Sequence, residues 1–295
     1  MAFSTSRRKF LQAGAAVVAT GALAVVGEGT ISEANRPQVV SIEIPLTRLP
    51  QSWDGFRIAQ ISDLHYDSHF SVVPIRRAVD LVNQLQPDLV LVTGDFITSP
   101  FLGRRRLQIQ AAKAIEPCAE LVAQMHAPCG VHASLGNHDA NTDPAHITSV
   151  LESRGISVLR NRSIPLERDG KRLWLSGLED VLGGKYDLKL TLKDVPKDEP
   201  VVLMVHEPDF AHYVKNVDLQ LSGHSHGGQI RFPLIGAPYL PVMGRAYPRG
   251  LRRLGPLTLY TNIGIGTIWV PMRLNCPPEV TLITLRAAAG TTTRS

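Results

Sequence analysis

From residue 56 onward the apolar positions follow two spacings in turn. Continuous apolar runs of strand length occur at "FRIAQIS" (56–62), "DLVLVTG" (88–94) and "GVHASLG" (130–136). Such runs predict strands buried on both faces. Between them the spacing turns helical. "VVPIRRAVDLVNQLQ" (72–86) puts Ile75, Ala78, Leu81, Val82 and Leu85 on one face. "LQIQAAKAIEPCAELVAQMH" (107–126) predicts a helix that bends or breaks near Pro117, because proline removes a donor and clashes with the preceding turn. "DPAHITSVLESRG" (143–155) carries an Asp cap, a first-turn Pro and a terminal Gly, the boundary signals of a third helix. The second half is richer in strands: "KRLWLSGL", "VVLMVH", "DLQLSG", "GQIRF", "LTLYTN" and "VTLITL". No repeat or linker interrupts residues 35–288, which predicts one layered α/β domain with a mixed sheet or two facing sheets. Residues 289–295 read as a tail.

The first 34 residues differ in kind. Arg7, Arg8 and Lys9 precede a 14-residue apolar stretch, Ala13 to Val26. A membrane span needs about 20 such residues. The segment resembles a twin-arginine export signal, with an ordinary secretory signal as the alternative. It predicts export by the twin-arginine machinery to the periplasm or the outer face of the cytoplasmic membrane. If uncleaved, it would anchor the chain there. "SEA" (32–34) and "ALA" (22–24) both have the small residues of a processing site. Composition adds bounds. With 44% apolar and 19% charged residues the chain can build a core. A net charge of +5 gives no strong nucleic-acid signal. Three cysteines without CxxC spacing suggest neither a disulfide framework nor a zinc site.

Five apolar runs end in the same kind of residue. The first ends in Asp63 and His65, the next in Gly94 and Asp95, and the third in Gly136, Asn137, His138 and Asp139. The last two end in His206 and in Gly223, His224 and His226. Ligands of open α/β sheets gather outside the carboxyl ends of strands, so these five ends should converge. Oxygen and imidazole donors without thiolate suit Mn, Fe or Zn. Glycine before Asp95, Asn137 and His224 predicts sharp turns that need unusual backbone angles.

The set D-x-H, G-D, G-N-H-D, H and G-H-x-H resembles the calcineurin-like metallophosphoesterases over residues 56 to about 285. The ending "TNIGIGTIWVPMRLNCPPEVTLITL" resembles the YkuE/YaeI-type branch, which includes exported phosphodiesterases. The resemblance implies two facing mixed β-sheets flanked by helices, and two metal ions. Carried over, Asp63, His65 and His226 would bind one ion, Asn137, His206 and His224 the other, and Asp95 both. His138 would donate a proton to the leaving group or contact the phosphate, with Asp139 orienting its ring. Gly227 and Gly228 would clear space for substrate.

The expected activity is hydrolysis of a phosphodiester or pyrophosphate, on a membrane-derived or lipid-linked substrate. A phosphomonoesterase or nuclease on the same fold is the same-class alternative; a noncatalytic metal-binding protein is the alternative from another class. "RFPLIGAPYLPVMG" (231–244) reads as a core-covering loop or as a lid over a lipid-like substrate. Arg245, Arg249, Arg252 and Arg253 read as a solvated face, or as a site for substrate phosphate or peripheral membrane contact. His69 and Asp67 read as a solvated loop, and His132 as a packed strand residue.

Overall fold

Apolar side chains that alternate along the strands feed two different cores. The computed structural model describes residues 27–100 and 104–288. The predicted signal's basic and apolar parts (1–26) and the tail at 289–295 lie outside the described residues.

Twelve strands among the described residues make two six-stranded sheets. The first holds β1 (Gln38–Leu46), β2 (Arg57–Ile61), β3 (Leu89–Thr93), β4 (Val131–Ser134), β5 (Ile156–Val158) and β12 (Glu279–Ala287). Its order is β1-β12-β2-β3-β4-β5, parallel except where β12 meets β2. The second holds β6 (Arg162–Arg168), β7 (Lys171–Gly177), β8 (Val201–Met204), β9 (Leu219–Ser222), β10 (Gly250–Leu254) and β11 (Leu257–Thr261). Its order is β10-β11-β9-β8-β7-β6, with only the edge strands β10 and β6 antiparallel to their neighbours.

In β3, Leu89 and Leu91 enter the core between the sheets, whereas Val90 and Val92 enter the core under the helices. In β8, Val202 and Met204 face the first sheet while Val201 and Leu203 face outward into a third apolar cluster. This is why these strands are apolar throughout. Each such side chain, once fully buried, contributes about 1.5–3 kcal/mol. The result is two mixed sheets flanked by helices.

The helices are α1 (Val72–Leu85), α2 (Arg105–Ala112), α3 (Ile115–Val122), α4 (Asn137–Ala140), α5 (Pro144–Ser153) and α6 (Leu188–Thr191). The buried face of α1 centres on Ile75, Ala78, Val79 and Val82, leaving Leu81 and Leu85 at its margin. Asp143 caps α5 by accepting the His146 N–H. The break in the 107–126 region falls at Lys113–Ala114, not at Pro117. Pro117 sits in the first turn of α3, where a missing N–H costs nothing. "GQIRF" makes no strand; it contributes only single bridges from Ile230 to Leu274 and from Phe232 to Gly236.

Residues 28–35 form two short helical turns against the domain. The Glu33 carboxylate accepts the amides of Asn275 and Cys276, and Gly29 O accepts the Arg273 amide. The end of the segment set aside as a signal therefore packs on the loop that leads into β12.

Candidate metal centre

The two sheets bring five strand ends to one edge, and the backbone there is tight. Gly136 and Gly223 do not have positive φ. Their role is space: a Cβ on Gly223 would lie 1.9 Å from Ser62 Oγ, and one on Gly136 would lie 2.3 Å from Asp95 Oδ1. Gly94 alone of the three preceding glycines has the expected unusual angle, φ 90°. The left-handed angles fall instead on the chemical residues. Asp63, His65, Asp95, His224 and His226 have φ of 52°, 41°, 57°, 68° and 51°. Such conformations cost a side-chain-bearing residue energy and gather at functional sites.

Three imidazoles are held from behind. His206 Nδ1 donates to Thr93 O at 2.6 Å, and His224 Nε2 donates to Val242 O at 2.8 Å. His65 Nδ1 lies 3.0 Å from Thr98 Oγ1. A backbone carbonyl behind a histidine fixes its tautomer and turns the other nitrogen's lone pair forward, as metal-binding histidines require. His226 is the exception. Its Nδ1 faces the guanidinium of buried Arg273 at 3.4 Å.

The forward atoms converge. Asp63, His65 and His226 each offer a ligand atom within 4.8 Å of the others, and so do Asp95, His206 and His224. Asp95 Oδ2 stands 3.5 Å from His65 Nε2 and 3.1 Å from His206 Nε2, so one carboxylate oxygen reaches both groups. Asn137 Oδ1 lies 2.9 Å from His224 Nδ1. His224 and His226 turn to different groups across a left-handed corner.

These contacts fit cations. With His224 Nε2 donating to Val242, its Nδ1 and the Asn137 oxygen are two acceptors face to face. His65 Nε2 and His226 Nε2 are 3.1 Å apart. His206 Nε2 is buried beside Asp95 without hydrogen-bond alignment. A positive charge at each meeting point satisfies all of them. Ionisation agrees. Burial pushes His65 down to about 3 and His224 down to about 4, and drives His226 well below the imidazole range. Neutral imidazole is the form that binds metal. Burial also opposes charge on His206, but Asp95 and Asp63 outweigh it and hold His206 well above its usual value. A proton there stands in for a cation. Burial lifts Asp63 to about 6.

His138 and Asp139 occupy other roles than a ring and its orienting carboxylate. His138 Nδ1 accepts the Ser99 amide at 2.9 Å and lies 2.8 Å from Ser99 Oγ. A neutral ring so held carries its proton on Nε2. Asp139 accepts the amides of Phe96, Ile97 and Gly136, so it locks the strand-end loops and leaves the ring to Ser99. Burial, with Asp95 nearby, lifts Asp139 to about 7. Gly227 and Gly228 are not open either. A Cβ on them would strike Cys276 Sγ at 2.8 Å and Ala237 Cβ at 2.2 Å.

The sequence reading missed several supports. Ser99 and the Val242 carbonyl carry no motif. Glu207, buried beside Asp180 and held well above the carboxylate range by burial and that neighbour, follows His206 directly. Asn262 to Gly266 wraps Asp63: Ile265 and Gly266 donate to Ser62 O and Asp63 O, and a Cβ on Gly264 would lie 2.7 Å from Asp63 Cβ. That close wrap accounts for the glycines of "TNIGIG". His69 is exposed and its Asp67 caps local amides, whereas His132 is nearly buried and bonds to Cys129 O. The three cysteines are free.

A cavity of about 380 Å³ opens over the centre. His65, Asp95, Asn137, His138, His224 and His226 line its floor. Leu182, Tyr239, Val242, Ile268, Trp269 and Val270 line its walls. Among the described residues no helix is long and apolar enough to cross a membrane.

Comparison with known proteins follows the same lines. The profile of the calcineurin-like phosphoesterases matches residues 56–228. Metallophosphoesterase YkuE of Bacillus subtilis is 32% identical over 96% of this chain and 98% of its own. Phosphodiesterase YaeI of Escherichia coli is 34% identical over 95% of this chain and 99% of its own. UDP-2,3-diacylglucosamine pyrophosphatase LpxG of Chlamydia muridarum is 26% identical over 80% of this chain and 86% of its own.

Proposed function

The chain belongs to the calcineurin-like phosphoesterases and is a phosphoester hydrolase, and we propose that it is a two-metal phosphodiesterase for a substrate with an apolar arm. The single observation that carries this is the pairing of a donor-lined floor with an apolar wall in one cavity. Asp63, His65 and His226 would hold one ion, Asn137, His206 and His224 the other, and Asp95 both. The donors are oxygen and imidazole nitrogen, which suits Mn, Fe or Zn. When bound, such a pair lowers the pKa of water and offsets charge on a phosphoryl group.

The chain's own residues then do the positioning. His138 presents its Nε2–H to the floor and holds a phosphate oxygen there. Ser99 occupies His138 Nδ1, which leaves the Nε2–H as the ring's free polar atom for contact with a phosphate oxygen. Asp139 keeps the 96–97 and 136–139 segments in register. Tyr239 and Trp269, with rings 5.0 Å apart, give an apolar arm a surface beside the phosphate. A diester or pyrophosphate places groups on both sides of phosphorus, one for the floor's open edge and one for this wall. The names of YaeI and LpxG point the same way. Export belongs to this proposal too: it rests on Arg7, Arg8 and the apolar stretch after Lys9. Cell fractionation of an Arg7→Lys/Arg8→Lys variant tests it; unchanged export would remove the twin-arginine route.

The functional test is a rate comparison. Chelated protein is reloaded with Mn, Fe, Zn or Mg and given bis-p-nitrophenyl phosphate or p-nitrophenyl phosphate. Faster diester cleavage with a transition metal is expected. Faster monoester cleavage would overturn the diester assignment, and inertness to both with every metal would overturn the two-metal enzyme.

A further inference from the structure

Beyond the cavity wall the chain exposes an apolar finger. Phe232 and Gly236 pair with each other across Pro233, Leu234 and Ile235. Ile235 N–H donates to Pro233 O, and Leu234 has φ 67°. That is a γ-turn of the rare kind, with a bulky side chain at its strained central position. Leu234 is fully exposed and Ile235 is 79% exposed. Tyr239, Val242, Trp269 and Val270 continue the apolar surface from the finger to the cavity mouth. Contiguous exposed apolar surface of this kind marks an interaction site.

Charge selects the partner. From Leu219 to Pro278 the chain has six arginines and no Asp, Glu or Lys. Arg245, Arg249, Arg252 and Arg253 are exposed. Arg245 Nε donates to Leu240 O, which ties this cationic loop to the finger's own segment. Asp209, under the loop, commits its carboxylate to the amides of Arg245, Ala246 and Tyr247. Glu33 likewise commits to backbone amides. An apolar tip, interfacial aromatic side chains and a flank with four exposed arginines are together the chemistry of a lipid surface with anionic headgroups.

We infer that the Phe232–Gly236 finger inserts into an anionic bilayer surface and docks the cavity mouth against it. The inference adds a surface to the function proposed above and does not depend on catalysis. An apolar-armed substrate would then reach the centre without leaving the lipid phase.

The test reads the cavity mouth beside the finger, so the apolar N-terminal stretch cannot mimic the result. Of the three tryptophans, Trp53 and Trp174 are buried and Trp269 is exposed at the mouth. Full-length protein is mixed with brominated phosphatidylcholine vesicles, with and without phosphatidylglycerol. Quenching of Trp emission is expected with phosphatidylglycerol and should weaken as salt rises. Leu234→Asp/Ile235→Asp should need at least about tenfold more lipid for half-maximal quenching, since two apolar insertions are lost. It should cleave bis-p-nitrophenyl phosphate at the wild-type rate, a separate readout of the enzyme proposal. Bound wild-type protein whose emission is unquenched would overturn the inference. So would equal quenching in the finger variant, or a lipid-independent dimer that covers the finger.

Discussion

The floor and the wall of the cavity are built on opposite terms. The floor is buried, polar and held at five strand ends, with close contacts between glycines and carboxylates and left-handed angles on the donors themselves. The wall is exposed, apolar and carried by loops without strands, at Leu182, 238–242 and 268–270. The floor's strain is supported by two sheets and three apolar clusters. The wall is held chiefly by polar ties, such as those from the Gln229 amide to Ile268 O and Val270 O. Chemistry common to phosphoester hydrolysis belongs on the rigid part, and recognition of a particular substrate belongs on loops that can vary.

Substitutions should separate the two regions. Asp95→Asn strikes the one oxygen that reaches both donor groups; turnover should vanish and metal content, measured by emission spectrometry, should fall. Full activity with two metals would break the floor assignment. His138→Ala should keep its metals and lose about 10²–10³-fold in kcat, the cost of one hydrogen-bond donor to the phosphoryl group; loss of metal would move His138 among the ligands. Gly223→Ala forces a methyl onto Ser62 and Asp63. It should cost about 1–3 kcal/mol in denaturant unfolding and weaken metal retention together. A neutral outcome would mean that the strand ends are looser than described. On the wall, Tyr239→Ala/Trp269→Ala should raise KM for a diester with an alkyl arm about 3–10-fold more than for bis-p-nitrophenyl phosphate. Equal effects would deny the wall its role in selection.

Protons give the smallest and sharpest contrast. His206 is held above its usual range by Asp95 and Asp63, so the metal-free floor keeps a proton on it at neutral pH. By linkage, the Asp95–His206 pair stabilises the metal-free fold fully below about pH 6.5 and is lost as pH rises through the raised His206 value. A metal must expel the proton. Titration calorimetry in buffers of different ionisation heat should therefore show net proton release on loading at pH 7. Zero release would mean that His206 is not a ligand, or is already neutral.

Most of the floor was legible because each piece is an apolar run closed by a donor, and those runs became β2, β3, β4, β8 and β9. Its internal logic was less legible. Gly136 and Gly223 look like turn residues, yet they are spacers, because only the assembled sheets reveal how near Asp95 and Ser62 come. Asp139 follows His138 in sequence, but the helical turn of α4 aims it at amides of the 94–97 loop. Val242 acts through a carbonyl, which no side-chain pattern can announce. The edge strands β6 and β10 are polar on much of their surface, so they lack the apolar run that marks their neighbours. The finger escaped because its turn breaks the usual preference for glycine at positive φ, and "GQIRF" ahead of it imitates a strand.

One measurement reaches the central claim directly: anomalous diffraction from crystals soaked in manganese. Two peaks about 3.5–4 Å apart are expected. One should sit among Asp63, His65 and His226, the other among Asn137, His206 and His224, with Asp95 touching both. A single peak, or peaks that leave either trio unliganded, would contradict the account.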